Sequence, residues 1–411
     1  MTKRRVSMLA LVGVLTLSLM IGGRLFAESA ETVAGQPDKK NGAVATQPAS
    51  SDSKEIEFHF VTKPGQTQRL RIVTRSFGLM RLGGPPIPPQ KFSQWAEQEL
   101  ATRCVEVLPD GTTRIEMMLP NAAFQMNYGG TKIAIDTRKP AESDNPSTQA
   151  MRELFVAMSK IKCNIILSSR GEPIKVQGFS QGVEEAIAEI DFFSSKPFIK
   201  PIVNQMQKCL GDNIIEEQLR TFFRLLPDRG KARIGDRWTH EWQVPLPIGH
   251  MIAVGKGEYE LVGIERFRGR DCAKIKIRSS LTTTTKPAND SAGTAATHSS
   301  GDASDGLMAQ MKFSLAASGG SGIAYVDYAT GTLMQLQQTD RITIEMSLDA
   351  DPGALREGIR YTAQEMTTSL HMELLEEDGK EIAPAAPHAS VGTTKEVGEQ
   401  KDTATTQPVK P

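Results

Sequence analysis

The chain has 411 residues, and its 48 Lys and Arg balance 48 Asp and Glu, so the formal net charge at neutral pH is zero. Such a length allows two domains or one large domain with tails. Zero net charge supplies no global field to draw in polyanions, so no nucleic-acid partner is expected.

Lys3, Arg4 and Arg5 precede an apolar run from Val6 to Gly22 and then GRLFAESA. A basic start, an apolar stretch and small residues at its end mark a signal peptide over residues 1–27, with cleavage expected after Ala27. The run nearly reaches the length of a membrane span, so an uncleaved N-terminal membrane anchor is the alternative, and contact with a membrane depends on it. A cleaved chain would be periplasmic or secreted. Residues 28–53 and 381–411 are poor in apolar side chains and cannot offset the entropy of ordering, so a disordered linker and a disordered tail are expected there. Residues 281–306 share that composition and are expected to form a disordered loop within the fold. His298 and His388 fall in these segments, which argues against either being a fixed catalytic group.

Residues 54–380 read as a single α+β domain. Alternation of apolar and polar side chains at 71–75, 103–107, 113–117, 131–136, 273–278 and 341–348 predicts strands with one dry face. One wet face points to antiparallel pairing, because strands of a doubly covered parallel sheet are apolar throughout. Glycine-containing turns at 108–113, 127–132, 168–173 and 328–333 predict hairpins. The insertion 147–226 differs. Three- and four-residue spacing of apolar side chains predicts helices over 147–161, 181–194, 197–210 and 213–225. The expected fold is a mostly antiparallel sheet, curved or a half-barrel, with this helical middle packed on one face.

Cys104, Cys163, Cys209 and Cys272 contain no C-x-x-C pair, which argues against a zinc site and a thioredoxin-type motif. After export two disulfides are allowed. Alternation puts Cys104 and Cys272 on the polar faces of their strands, whereas Cys163 and Cys209 flank the helical middle, so the expected pairs are Cys104 with Cys272 and Cys163 with Cys209. Free buried thiols are the alternative.

Gly178, Ser180 and Gly182 spell G-x-S-x-G, the pattern of a hydrolase nucleophile elbow. An elbow follows a central parallel strand, whereas residues 173–178 are half of an antiparallel hairpin. His240, His250 and His371 stand in no recognisable triad context. Ser180 is therefore expected to cap the helix that follows, with Glu184 and Glu185 near its positive end, and the serine nucleophile is the alternative. A second cluster, Asp228, Asp236, His240 and Glu241, has the residue types of a metal or acid–base site. Adjacent strand residues point to opposite faces, however, so turns at Gly230 and Gly235 and a core anchor at Trp238 are the expected roles. No catalytic residue, metal ligand or cofactor is assigned.

The order of a helix, LLP, a turn, IGDRW, the strand pair YELVGIERFRGRDCAKIKI and, after a variable loop, GIAYVDYATGTLMQLQQT resembles a family of exported bacterial proteins known as a domain of unknown function. The hairpin VEVLPDGTTRIEM and the strand GEPIKVQG occupy similar places, and the likeness spans about residues 55–375. It implies an exported, mostly antiparallel fold without an assigned activity.

Function is thus expected to be non-enzymatic: a binding or structural module of the cell envelope, holding an apolar ligand or a protein partner. Met117, Met126, Met308, Met311, Met334 and Met346 could line a deformable apolar space, or simply fill the core. The proline-rich segment 83–90 could dock a partner in polyproline form, or act as a stiff connection. A serine hydrolase using Ser180 is the alternative function.

Overall fold

The computed structural model describes residues 55–82, 88–140, 145–194, 207, 210–223, 225–245, 252–284, 311–348 and 361–383. The expected signal peptide and linker, most of helix 197–210, the loop beyond Thr284, residues 83–87 and the tail beyond residue 383 lie outside the described residues.

In chain order the elements are β1 (Ile56–Glu57), β2 (Thr67–Leu82), β3 (Gln90–Val107), β4 (Thr113–Tyr128), β5 (Thr131–Asp136), α1 (Pro146–Met158), β6 (Lys162–Leu167), β7 (Pro173–Gln177), α2 (Phe179–Ala188), α3 (Asp191–Ser194) and α4 (Asp212–Phe223). They continue with β8 (Lys231–Ala232), β9 (Arg237–Pro245), β10 (Ile252–Phe267), β11 (Arg270–Thr284), β12 (Met311–Asp327), β13 (Thr332–Leu348), β14 (Tyr361–Glu377) and β15 (Lys380–Glu381). One antiparallel sheet runs in the order β7-β6-β4-β3-β2-β14-β13-β12-β11-β10-β9, with β5 added to β4 and β15 to β14. β7 and β9 are its edges, so the sheet does not close into a barrel. All four expected hairpin turns join paired strands: β3 to β4, β4 to β5, β6 to β7 and β12 to β13.

One face of the sheet is covered in two parts. Over β4–β7, the stripe Ala150, Met151, Leu154, Phe155 and Met158 of α1 and the stripe Phe179, Val183, Ala186 and Ile187 of α2 pack on Met117, Phe124, Ile165 and Val176. Fully burying each large aliphatic side chain contributes about 1.5–3 kcal/mol, which is why the helical spacing of the middle segment is satisfied here. Over β10–β14, a strap of residues 55–61 crosses the sheet. β1 pairs with β8, and the backbone amides of Phe58, His59 and Val61 donate to the carbonyls of Gly230, Tyr328 and Thr330 at 2.8, 2.9 and 3.1 Å. Ile56 and Phe58 thereby pack on Leu261, Ile275, Leu336 and Met372.

Further along the covered face a polar row crosses seven strands in register: Gly257, Ser279, Gly320, Asp340, Thr368, Ser76 and Gln94 are successive cross-strand neighbours. Asp340 is only 1% exposed, and its carboxylate accepts hydrogen bonds from Gln338 Nε2 at 2.9 and 3.1 Å. It lies over Gly320, where a Cβ would come within 1.7 Å of Asp340 Oδ1. The row continues with Ser76 and Thr368, whose hydroxyls share a hydrogen bond of 2.9 Å.

The opposite face carries ion pairs. Arg69 bridges Glu99 and Glu376 at 2.7 and 2.9 Å, and Arg71 bridges Glu97 and Glu373 at 2.7 and 3.4 Å. Arg138 links Glu97 to Asp136, both at 2.9 Å. Burial alone would raise the Glu97 carboxyl, but hydrogen bonds from Arg71 and Arg138 outweigh it and hold the group below the usual carboxylate range.

The expected Cys104–Cys272 disulfide is not formed: Cys104 and Cys272, like Cys163, are free, buried thiols, whereas Cys209, and with it the expected Cys163–Cys209 pair, lies outside the described residues. Cys104 and Cys272 are separated by β2, β14, β13 and β12, five strand spacings or about 24 Å along the sheet, whereas a disulfide needs Cα atoms within about 7 Å. They also lie on opposite faces. Cys104 pairs with the inward-facing Ile115, while Cys272 packs outward beside Phe267 and Tyr325, whose rings stack at 4.3 Å. Alternation alone placed both cysteines on wet faces, because it does not reveal these local apolar covers.

Candidate functional site

Between the two covered regions lies a cavity of about 150 Å³. Its floor is the sheet, through Leu70 of β2, Met117 of β4, Ile165 and Leu167 of β6 and Met372 of β14. Its roof is Leu219 of α4, with Leu225 and Leu226 just beyond that helix and Phe60 of the strap. The helix and the residues just after it bridge both cores: Ile215 and Leu219 of the helix pack on the α1–α2 cluster, whereas Leu225 and Leu226 beyond its end pack on the strap cluster. The cavity is thus a gap where the two cores do not fully meet. Thr62, Gln68, Thr102 and Thr332 add hydroxyl and amide groups to otherwise aliphatic walls, the composition of a small-molecule pocket.

Of the methionines singled out from sequence, Met117 lines this cavity. Met126 packs within the α1–α2 cluster and Met334 lies on the other face beside Cys272. Met308 lies outside the described residues, as do the side chains of Met311 and Met346. Sequence reasoning missed Met372, which belongs to a strand about 250 residues from Met117 and gives no local sign of sharing its space.

A second, open groove of about 690 Å³ adjoins the cavity, and Phe60 and Leu226 line both. Phe60 is fitted against two turn glycines: a Cβ on Gly171 would lie 2.5 Å from its ring, and one on Gly331 3.4 Å from it. Two members of the sequence cluster meet here. His240 Nδ1 lies 3.5 Å from Asp228 Oδ1, and His240 Nε2 lies 3.1 Å from the Leu226 carbonyl. Asp236 instead closes a turn by accepting from the Arg233 amide at 2.8 Å, and Glu241 is exposed on the other side of β9. Trp238 is a core anchor, stacked on Tyr259 at 6.0 Å. Among the described residues no group of three or more His, Cys, Asp or Glu side chains is placed to hold a metal ion.

Ser180 does cap a helix, but not its own. The N-cap of α2 is Gly178, at φ 91°, and no side chain of that residue is available for capping. Asp212, the first residue of α4, accepts from the amides of Ser180 at 2.8 Å and Gly178 at 3.2 Å. In return Ser180 Oγ accepts from the Asp212 amide at 2.6 Å. The carboxylate also sits at the positive end of α2. Asn164, Lys175, Gln177 and Glu184 surround this pair, with no histidine among the described residues of that shallow pocket. The hairpin strand before Ser180 is β7, at the sheet edge, rather than the central parallel strand of an elbow.

Residues 110–331, more than half of the chain, match a family described as a family of unknown function, DUF6263. The chain belongs to that family. The matched span runs from the β3–β4 turn to the β12–β13 turn, narrower than the 55–375 of the sequence resemblance, and it brings no assigned activity. No curated protein matches the chain. A structure of lipovitellin and its lipid–protein interactions aligns at 11% identity over 80% of this chain, with a TM-score of 0.30. That alignment spans only 26% of lipovitellin. A candidate lipoprotein from Parabacteroides distasonis ATCC 8503 aligns at 10% identity over 78% of this chain and 99% of its own, with a TM-score of 0.20. An outer membrane channel from Pseudomonas putida F1 aligns at 8% identity over 80% and 100%, with a TM-score of 0.19. At such TM-scores these likenesses carry no argument about fold or function.

Proposed function

We propose that this DUF6263 member is an exported protein of the bacterial cell envelope that binds an apolar group without transforming it. The observation that carries this reading is the cavity at the junction of the two cores, walled by Leu70, Ile165, Leu167, Leu219 and Met372. A void of this size lined by aliphatic side chains loses dispersion contacts on every wall, and an apolar occupant restores them. Export rests on the charged, apolar and small-residue order of residues 1–27. No helix among the described residues is long and apolar enough to cross a membrane.

Native mass spectrometry of the full chain, purified without detergent from its own envelope fraction, tests the reading against the denatured mass. A retained small molecule, lost on denaturation, is the expected result. A bare chain that also fails to take up added apolar compounds would overturn it.

A further inference from the structure

We infer that the group held in the cavity is uncharged and carries an acceptor oxygen, such as that of a ketone, ester or ether, which the Thr332 hydroxyl meets. This rests on the binding reading above and adds the chemical class of the ligand.

The wall selects against charge. Among the described residues lining the cavity none is acidic, basic or a histidine. Glu377, which accepts from the lining side chain of Gln68 at 3.2 Å, is itself paired with Arg270. A carboxylate or ammonium group drawn inside would give up its water and find no counter-ion, whereas a neutral group keeps the gain of apolar contact. About 150 Å³ holds one ring-sized group or a short stretch of one chain.

The polar groups gather at one end. Gln68 pairs across the sheet with Thr102, and on the same face the pair two residues further along, Leu70 with Leu100, is already apolar. Thr332, the first residue of β13, meets Gln68 at this end. It is 8% exposed, and its hydroxyl oxygen accepts from Thr330 Oγ1 at 3.0 Å and from Gln68 Nε2 at 3.4 Å. Both bonds use the lone pairs of that oxygen and neither uses its proton. The hydroxyl is thus left as a donor, and a buried donor is stabilised by an acceptor. A ligand oxygen at this end supplies it, while the rest of the molecule lies against Leu70, Leu100 and Met372.

Calorimetric titration of the full chain with acetophenone, ethylbenzene, benzoate and benzylammonium tests the inference. Acetophenone should bind about fivefold more tightly than ethylbenzene, the gain expected from one neutral hydrogen bond. Benzoate and benzylammonium should bind at least about a hundredfold more weakly than ethylbenzene, because each would bury an unpaired charge. Thr332→Val, or Thr332→Ala where the first does not fold by circular dichroism, should erase the preference for the ketone and leave ethylbenzene unchanged, whereas Thr332→Ser should keep the preference. A charged probe bound within the hundredfold margin would overturn the uncharged assignment. Equal affinities for acetophenone and ethylbenzene, or a preference that survives loss of the hydroxyl, would overturn the assignment of the oxygen. Each of these results leaves the cavity reading standing, and only a failure of all four probes to bind would overturn both.

Discussion

Ser180 and Asp212 cap each other's helices across 32 residues of chain, the serine hydroxyl serving α4 and the aspartate carboxylate serving α2. The exchange fixes the start of the helix whose far end roofs the cavity. Ser180→Ala and Asp212→Ala should each destabilise the protein by about 1 kcal/mol, the usual cost of a lost cap. Because the groups act as a unit, the double variant should cost less than the sum, as urea denaturation of the four proteins would show. Full additivity would mean that the two caps act separately.

The same geometry engages the Ser180 hydroxyl as a helix cap, and among the described residues no histidine lines its pocket to take its proton. Incubation with a fluorophosphonate should leave the intact mass unchanged. A single adduct that disappears in Ser180→Ala would assign the protein to the hydrolases instead.

Gly320 makes room for Asp340. An added Cβ would meet Oδ1 at 1.7 Å and Ser279 Oγ at 2.8 Å, so Gly320→Ala should cost about 1–3 kcal/mol through overpacking. In an Asp340→Ala background the same substitution should cost much less. Thermal unfolding of the single and double variants measures the difference, and an unchanged cost would separate the glycine from the carboxylate.

The thiols should be inert in the folded protein. Burial pushes Cys163 up to about 12, with the Asp212 carboxylate adding to the rise, and burial followed by the Asp327 carboxylate does the same to Cys272. Iodoacetamide at mildly alkaline pH should modify Cys104, Cys163 and Cys272 only after unfolding, as peptide mass mapping would report. Labelling of Cys272 in the native state would contradict its placement beneath Phe267 and Tyr325.

The ion pairs of the exposed face predict acid sensitivity. Glu97, Glu99 and Glu377 have carboxyls held below their ordinary values, burial opposing the shift and hydrogen bonds from arginine and amide side chains outweighing it. A depressed folded-state value means stability that is fully present above the unfolded value of about 4.3 and is lost as pH falls below it. Urea midpoints taken on either side of that pH should drop steeply in the parent. They should drop less in Arg71→Gln, whose own contribution at neutral pH is about 1 kcal/mol or less because the arginine is half-exposed.

The sheet was legible where its inner side chains are apolar and hidden where they are not. Ala273, Ile275 and Ile277 alternate with Lys274, Lys276 and Arg278, and that run reads as a strand. The polar row puts Gln94, Asp340 and Thr368 on the inner face, so the apolar–polar contrast vanishes, and strands of 15 to 18 residues read as fragments of five to eight. The α2–α3 break near Glu189 escaped notice because the apolar spacing of 181–194 continues through it. Pairing of β2 with β14 joins residues about 300 apart, and no local pattern encodes it. The cavity draws its walls from seven strands, one helix and the strap, so only Met117 of its lining was suspected. For Ser180 the capping role was readable, while its recipient was not: the sequence shows a helix start on either side and says nothing of their proximity.

Xenon diffusion into crystals of the full chain tests the apolar cavity most directly, because xenon binds in apolar voids of this size. Xenon density is predicted between Met117, Leu167, Leu219 and Met372, and should be absent in Leu219→Trp. A parent crystal with no xenon there, or with ordered water hydrogen-bonded in its place, would contradict an apolar binding site at the junction of the two cores.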